Sequence, residues 1–100
     1  MTGTANIIGL GLIGGSIAAR LGDEGWTVYG DDVDAATVAT AVDRGLIAAG
    51  GLARDADITI VAVPVLTVVD QVRRALAETT GLVTDVGSVK GGICSAIDDP

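Results

Sequence analysis

Histidine and phenylalanine are absent from this chain of 100 residues, and tryptophan, tyrosine and cysteine each occur once. The lack of histidine removes the commonest general base from these residues. Because aromatic side chains are so scarce, the core has to be built from valine, isoleucine, leucine and alanine, which suit parallel strands buried on both faces. The single cysteine, Cys94, cannot form an internal disulfide, so a reducing cytoplasm is the expected compartment.

Positive charge is also scarce, since six lysines and arginines face 13 acids and the formal net charge is −7. The sequence shows no basic patch, so neither nucleic acid nor an anionic membrane is expected as a partner. Residues Met1–Thr4 lack a signal-peptide pattern. The longest apolar stretch, Ile58–Val69, is interrupted and too short to span a bilayer. A phosphate ligand would therefore have to be held by backbone N–H groups and a helix N-terminus.

Strand-like and helix-like apolar segments alternate along the chain, which predicts a parallel sheet with helices on its faces. Connections of this length are right-handed, so the predicted strand order is 3-2-1-4-5. This is a Rossmann-type, doubly wound α/β fold in three layers, with its ligand crevice at the carboxyl ends of strands one and four. The predicted strands are Ala5–Leu10, Thr27–Gly30, Leu46–Ala48, Ile58–Val63 and Leu82–Asp85.

Helices are predicted between these strands from apolar residues that recur every three or four positions. The first ends at Gly22 and Gly25, the second begins at an Asp34 N-cap and stops at Gly45, and the third spans Leu66–Glu78. A last helix is predicted to begin near Val89. The residues predicted to face the core are Ile13, Ile17 and Leu21 in the first helix; Ala35, Val38 and Val42 in the second; and Leu66, Val69, Val72 and Leu76 in the third.

A glycine-rich turn, Gly9-Leu10-Gly11-Leu12-Ile13-Gly14, joins the first strand to the first helix. In a dinucleotide-binding turn, Gly9 permits the tight bend, Gly11 lets a pyrophosphate approach the backbone, and Gly14 lets the helix lie close to the sheet. The alternative is a turn that binds nothing. Asp32 favours the first interpretation, because it follows Gly14 by 18 residues, where the motif requires an acid.

Asp32 is the candidate ligand of the adenosine ribose. A carboxylate accepts hydrogen bonds from both ribose hydroxyls and repels a 2′-phosphate, so NAD is preferred over NADP. Asp31 adds a second negative charge, and Val33 stands where an arginine would accommodate the 2′-phosphate of NADP. The alternative is that Asp31, Asp32 and Asp34 only cap the second helix, although one helix rarely needs three caps.

Two further segments follow strands at the crevice. Pro64, in Val63-Pro64-Val65, either shapes a loop beside the cofactor or simply terminates the fourth strand. Ser88 and Lys90 follow the fifth strand, near the expected nicotinamide, unless Ser88 only caps the last helix and Lys90 is solvated. Cys94 has no neighbouring base to support a nucleophilic role.

Two segments of the chain, Gly9–Ala18 and Asp85–Lys90, resemble the two signatures of the prephenate/arogenate dehydrogenase family. The segment Asp57–Val65 is similar to that family's fourth strand and loop. The resemblance covers essentially the whole chain. It implies oxidation of prephenate or arogenate with NAD or NADP, loss of carbon dioxide, and formation of 4-hydroxyphenylpyruvate or tyrosine, as a step of tyrosine biosynthesis.

The same resemblance implies roles for individual residues. Ser88 would hydrogen-bond the reacting hydroxyl or help to position the catalytic base, and no metal site is implied. The residues implied at the cofactor are Gly9, Gly11, Leu12, Ile13 and Gly14 at the pyrophosphate, Asp32 at the ribose, and Val63 and Pro64 in the cofactor loop.

One departure from the family is large. Its general base is a histidine a short way beyond the Gly-Ser-Val-Lys motif, and a helical second domain supplies substrate contacts and the dimer interface. The sequence ends at Pro100 before either feature, so residues 1–100 are expected to be a truncated dinucleotide-binding domain of a homodimeric enzyme, inactive alone. The alternatives are another 3-hydroxyacid-type dehydrogenase and a non-catalytic NAD-binding module.

Overall fold

One sheet of five parallel strands, in the order β3-β2-β1-β4-β5, organises the chain. The computed structural model describes residues 3–64 and 67–86. The strands are β1 (Thr4–Ile8), β2 (Thr27–Asp31), β3 (Ala49–Gly50), β4 (Ile58–Val61) and β5 (Leu82–Asp85). The helices are α1 (Leu12–Asp23), α2 (Ala35–Asp43) and α3 (Val68–Glu78). The predicted strand order and the α/β class are confirmed.

Two apolar clusters occupy the opposite faces of the sheet. Ile7 and Ile8 belong to different clusters because successive side chains of a strand point to opposite faces. Ile7 packs with Ala18 of α1 and Ala41 of α2, whereas Ile8 packs with Ala75 of α3. Helices α1 and α2 therefore cover one face and α3 covers the other, which confirms the three-layered arrangement.

The buried side-chain amide of Asn6 connects the centre of the sheet to the segment after β3 through hydrogen bonds. Asn6 has no exposed surface, and its Nδ2 donates to the carbonyl of Ala53 at 2.8 Å and to Thr59 Oγ1 at 3.1 Å. Its Oδ1 accepts the N–H of Ala53 at 2.7 Å. Both ends of the amide are thus satisfied, as a polar group in a core has to be.

The third helix is rotated on the sheet relative to the prediction, although Val72 packs on the core as predicted. Val69 and Leu76 are 58% and 62% exposed, while Ala75 is fully buried and Val72 is half-buried. A small side chain lets the helix approach the sheet closely, so the alanine takes the central position and larger neighbours move to the flanks. Leu66, which was also predicted to face inward, lies outside the described residues.

Small residues also take the positions closest to the sheet in the other two helices, so their predicted inward faces need correction. Helix α2 buries Ala41, while Ala35 and Val42 are exposed. Helix α1 buries Gly14 and Ala18, so Ile13 is 40% exposed although it was predicted to face the core. The predicted inward positions of Ile17, Leu21 and Val38 are occupied by partly buried side chains that pack on the core.

Several element boundaries also differ from the predicted ones. The third strand is not at Leu46–Ala48 but at Ala49–Gly50: the earlier segment is a bend from which Ile47 enters the core, and the N–H of Ala48 donates to the carbonyl of Val28 in β2 at 2.6 Å. Helix α1 continues through Gly22, and β1 and β4 end two residues before the predicted limits. The helix predicted near Val89 lies outside the described residues. Among residues 3–64 and 67–86, no helix has the length and apolar character needed to cross a membrane.

Candidate functional site

A cavity of about 400 Å³ opens where β1, β2 and β4 end, at the predicted crevice of the sheet. Its walls are the glycine turn after β1, the acidic end of β2, the loop after β4 and the first half of α3. Five of the predicted site residues line it: Gly9, Gly11, Asp32, Val63 and Pro64.

Gly9 and Gly14 hold the turn together by close packing. Gly9 has a φ of +96°, and an added Cβ would lie 2.5 Å from the carbonyl oxygen of Ala62. At Gly14, an added Cβ would overlap the carbonyl oxygen of Gly9. Both positions therefore require glycine for the turn to pass between α1 and the end of β4.

Gly11 has a different environment, because an added Cβ there would meet no atom within 4 Å. It is the N-cap residue of α1, no side chain caps the helix, and the first turn contains no acid. The first N–H groups of a helix have no intrahelical partner and lie at the positive end of its dipole. Space and donors together fit an anionic group such as a pyrophosphate.

The Asp32 carboxylate faces the same cavity and is held by backbone donors. Its Oδ2 accepts the N–H of Leu10 at 2.7 Å, and its Oδ1 accepts the N–H of Asp34 at 2.9 Å. An ionised carboxylate has about four acceptor positions. About two remain, one on each oxygen, and these fit the two hydroxyls of a ribose.

The other acids near Asp32 have separate structural tasks. Asp34 caps α2, because its Oδ1 accepts the N–H of Ala36 at 3.0 Å, as the sequence predicts. Asp31 forms an ion pair with Arg74 of α3, with 2.7 Å between Oδ2 and Nη2. The alternative in which all three acids serve only as helix caps is therefore wrong for Asp31, which spans the cavity to another element.

Arg74 and Gln71 are lining residues that the sequence analysis missed. Arg74 donates through Nε to Glu78 at 3.2 Å and through Nη1 to Gln71 Oε1 at 3.4 Å. The hydrogen bond to Asp31 raises the pKa of Arg74, whose guanidinium is charged as arginine is in proteins generally. No sequence pattern indicated the contact with Asp31, because β1 lies between β2 and β4 in the strand order and the two residues are 43 positions apart.

The remaining predicted site residues do not line this cavity or lie outside the described residues. Leu12 is 90% exposed and lines a neighbouring groove with Gly11, whereas Ile13 lines neither space. Ser88, Lys90 and Cys94 lie outside the described residues. Within residues 3–64 and 67–86, no cluster of three or more histidine, cysteine or acidic side chains could hold a metal ion.

Solved dehydrogenases share this fold. An arogenate dehydrogenase from Synechocystis has a TM-score of 0.77 and 26% identity, over 82% of this chain and 32% of its own. A prephenate dehydrogenase from Aquifex aeolicus, in complex with hydroxyphenyl propionate and NAD+, has a TM-score of 0.73 and 27% identity over the same shares. A 3-hydroxyisobutyrate dehydrogenase from Mycobacterium tuberculosis has a TM-score of 0.71 and 26% identity, over 85% of this chain and 31% of its own.

The chain thus spans about a third of the length of these structures. No curated protein matches it. The sequence model of one family, described as the nucleotide-binding domain of prephenate dehydrogenase, matches residues 17–100. Because that match takes in most of the chain, this protein belongs to the prephenate dehydrogenase nucleotide-binding domain family.

Proposed function

We propose that this chain binds NAD in the cavity at the ends of β1, β2 and β4, as the nucleotide-binding part of a prephenate or arogenate dehydrogenase. One observation carries the proposal. Gly11, the N-cap residue of α1, which has no side-chain cap and leaves open space, lines the same cavity as Asp32. Family membership and the NAD+ in the Aquifex aeolicus structure support the choice of cofactor.

In this proposal each wall of the cavity contacts a different part of the cofactor. The N–H groups of Leu12, Ile13 and Gly14 bind the pyrophosphate, and Gly11 leaves room for it. Asp32 binds the ribose hydroxyls through its remaining acceptor positions. The loop with Val63 and Pro64 borders the cofactor beyond the pyrophosphate. When bound, the nicotinamide accepts the hydride.

The proposed reaction removes a hydride from the ring carbon that bears the hydroxyl, and the ring aromatises as carbon dioxide leaves. Ser88 would hydrogen-bond that hydroxyl or position the base. Since residues 1–100 contain no histidine, we propose that the base, much of the substrate pocket and a dimer interface are supplied from outside them. The chain alone would then bind cofactor without turnover, and the complete enzyme would serve tyrosine biosynthesis in the cytoplasm.

Calorimetric titration with NAD and, separately, NADP tests the cofactor proposal. We expect tighter binding of NAD, and a shift of preference towards NADP when Asp32→Ser is combined with Val33→Arg, because a guanidinium then replaces the carboxylate at the ribose. The matched control is Asp43→Ser with Val42→Arg, which makes the same chemical changes on α2. If the folded chain binds neither nucleotide, or if both double variants behave alike, the proposal is wrong.

The reaction is tested in the complete gene product. We expect reduction of NAD that depends on prephenate or arogenate, with one carbon dioxide released per hydride transferred. The similarity to a 3-hydroxyisobutyrate dehydrogenase favours a second candidate, oxidation of a 3-hydroxyacid. That reaction would reduce NAD without releasing carbon dioxide, so this stoichiometry separates the two.

Ser88→Ala in the same protein tests the proposed catalytic contact. We expect a lower kcat with little change in NAD affinity, since the hydroxyl is proposed to meet the substrate and not the cofactor. A variant that loses stability by about 1 kcal/mol and keeps its kcat would instead identify Ser88 as a helix cap.

A further inference from the structure

We propose that Asp31 sets the preference for NAD over NADP indirectly, by engaging Arg74, a guanidinium that would otherwise bind the 2′-phosphate of NADP. The inference rests on the proposed function, because it needs a dinucleotide in the cavity. It makes Asp31 and Arg74 specificity-determining residues in addition to Asp32.

The two side chains meet across the cavity from different elements. Asp31 ends β2 and Arg74 lies on α3, 43 residues later, and both line the cavity that Asp32 also lines. Asp31 Oδ1 accepts the N–H of Asp32 at 2.9 Å. The ion pair is therefore hydrogen-bonded directly to Asp32, the residue that is proposed to bind the ribose.

The guanidinium is accessible to a ligand. The side chain of Arg74 is 33% exposed and that of Asp31 is 29% exposed. A 2′-phosphate replaces one of the hydroxyls that Asp32 is positioned to bind, so it would enter beside this pair. Guanidinium groups bind phosphate through paired N–H donors, and arginine is the residue that accommodates the 2′-phosphate in this type of fold.

The local charges explain why Arg74 is not available for that task. Its Nη2 donates to Asp31 and its Nε donates to Glu78, so two carboxylates offset one positive charge. A 2′-phosphate would meet these carboxylates together with Asp32, and it would be repelled. With Asp31 uncharged, Nη2 is released from its strongest partner and the negative charge beside the ribose falls by one.

A purely structural role does not explain the ion pair between Asp31 and Arg74. Exposed and half-exposed ion pairs add little to stability, and Arg74 already has Glu78 one turn away on its own helix. The contact that joins two elements across the cavity is the one to Asp31, at the shorter distance of 2.7 Å.

The test measures the ratio of the NADP and NAD dissociation constants in the complete gene product and in Asp31→Asn. Asparagine keeps the size of the side chain and an oxygen that can accept the N–H of Asp32. We expect the ratio to fall about tenfold or more, the typical gain from a hydrogen bond to a charged group. In an Arg74→Gln background the same substitution should lower the ratio by a clearly smaller factor, because only the charge of Asp31 is then removed and no guanidinium is released.

Two controls remove the same charges from a pair away from the cavity. Arg20 and Glu24 form an exposed ion pair, 2.9 Å between Nε and Oε2, at the C-terminal end of α1. Glu24→Gln changes the net charge as Asp31→Asn does, and Arg20→Gln matches Arg74→Gln. Neither should change the ratio.

The outcomes separate the possibilities. An equal fall of the ratio with and without Arg74 would show that Asp31 acts only by its own charge, and an unchanged ratio would show a structural role; either result overturns the inference. If Asp31→Asn does not fold, Arg74→Gln alone decides: we expect the ratio to rise, because Asp31 is left unpaired, and an unchanged ratio overturns the inference. Wild-type protein that binds neither nucleotide would refute the proposed function itself.

Discussion

Replacing Gly11 with aspartate should move stability and nucleotide binding in opposite directions. Gly11 is the N-cap of α1 with a φ of −72°, and an added Cβ meets no atom within 4 Å. An aspartate therefore fits without strain, and its carboxylate can accept the N–H groups of the first helical turn. In the proposed complex, those same N–H groups bind the pyrophosphate, so side chain and cofactor compete.

The magnitudes follow from the geometry of a helix N-terminus. Aspartate is better than glycine as an N-cap by a few tenths of a kcal/mol, and its charge adds about 0.3–1 kcal/mol through the helix dipole. The free energy of unfolding should therefore rise by up to about 1 kcal/mol. Two like charges 4 Å apart repel by about 1 kcal/mol in water and about 4 kcal/mol near a protein surface. NAD binding should thus weaken between about fivefold and about a thousandfold.

Urea denaturation and calorimetric titration measure the two quantities on the same sample. Gly22→Asp is the matched control, because it adds the same charge at the far end of α1, where an added Cβ also meets no atom within 4 Å. That control should bind NAD as the wild type does. If Gly11→Asp binds NAD with unchanged affinity, the N-terminus of α1 does not hold the pyrophosphate, and our interpretation of the cavity fails.

Two further substitutions test the scaffold that holds the site. Asp34→Ala removes the cap of α2 and should cost about 1 kcal/mol in urea denaturation; Asp43→Ala, at the other end of α2, is the control and should be neutral or slightly stabilising. Asn6→Leu leaves the half-buried N–H of Ala53 without its partner, while the carbonyl of Ala53 keeps the N–H of Ala56 at 3.3 Å, so we expect a loss of about 1–3 kcal/mol for the one unsatisfied donor. Wild-type stability in either variant would contradict the corresponding contact.

The strand order and the position of the cavity could be predicted because strong local rules govern them. Parallel strands joined by helices have one favoured hand, and the spacing from Gly14 to Asp32 places an acid at the end of the second strand. Gly9 and Gly14 also behave as their positions in the motif predict, since both allow close packing that a side chain would block.

The side-chain pairing across the cavity could not be predicted in the same way. The contact between Asp31 and Arg74 joins residues 43 positions apart, and it depends on how α3 is rotated on the sheet. Apolar periodicity misjudges that rotation, because it ranks Leu76 above Ala75 although the close approach of helix and sheet favours the smaller residue. A two-residue strand such as β3 carries almost no pattern of its own.

The glycine turn is joined to the end of β2 by hydrogen bonds within the protein itself. The N–H of Gly9 donates to the carbonyl of Asp31 at 2.8 Å, and the N–H of Leu10 donates to Asp32 Oδ2 at 2.7 Å. The backbone proposed to bind the pyrophosphate and the carboxylate proposed to bind the ribose therefore form one preorganised unit, whose ordering entropy is lost during folding and not during association. A ligand should enter such a site in a single step, and the amide proton of Leu10, although it lies in a turn, should exchange slowly with solvent.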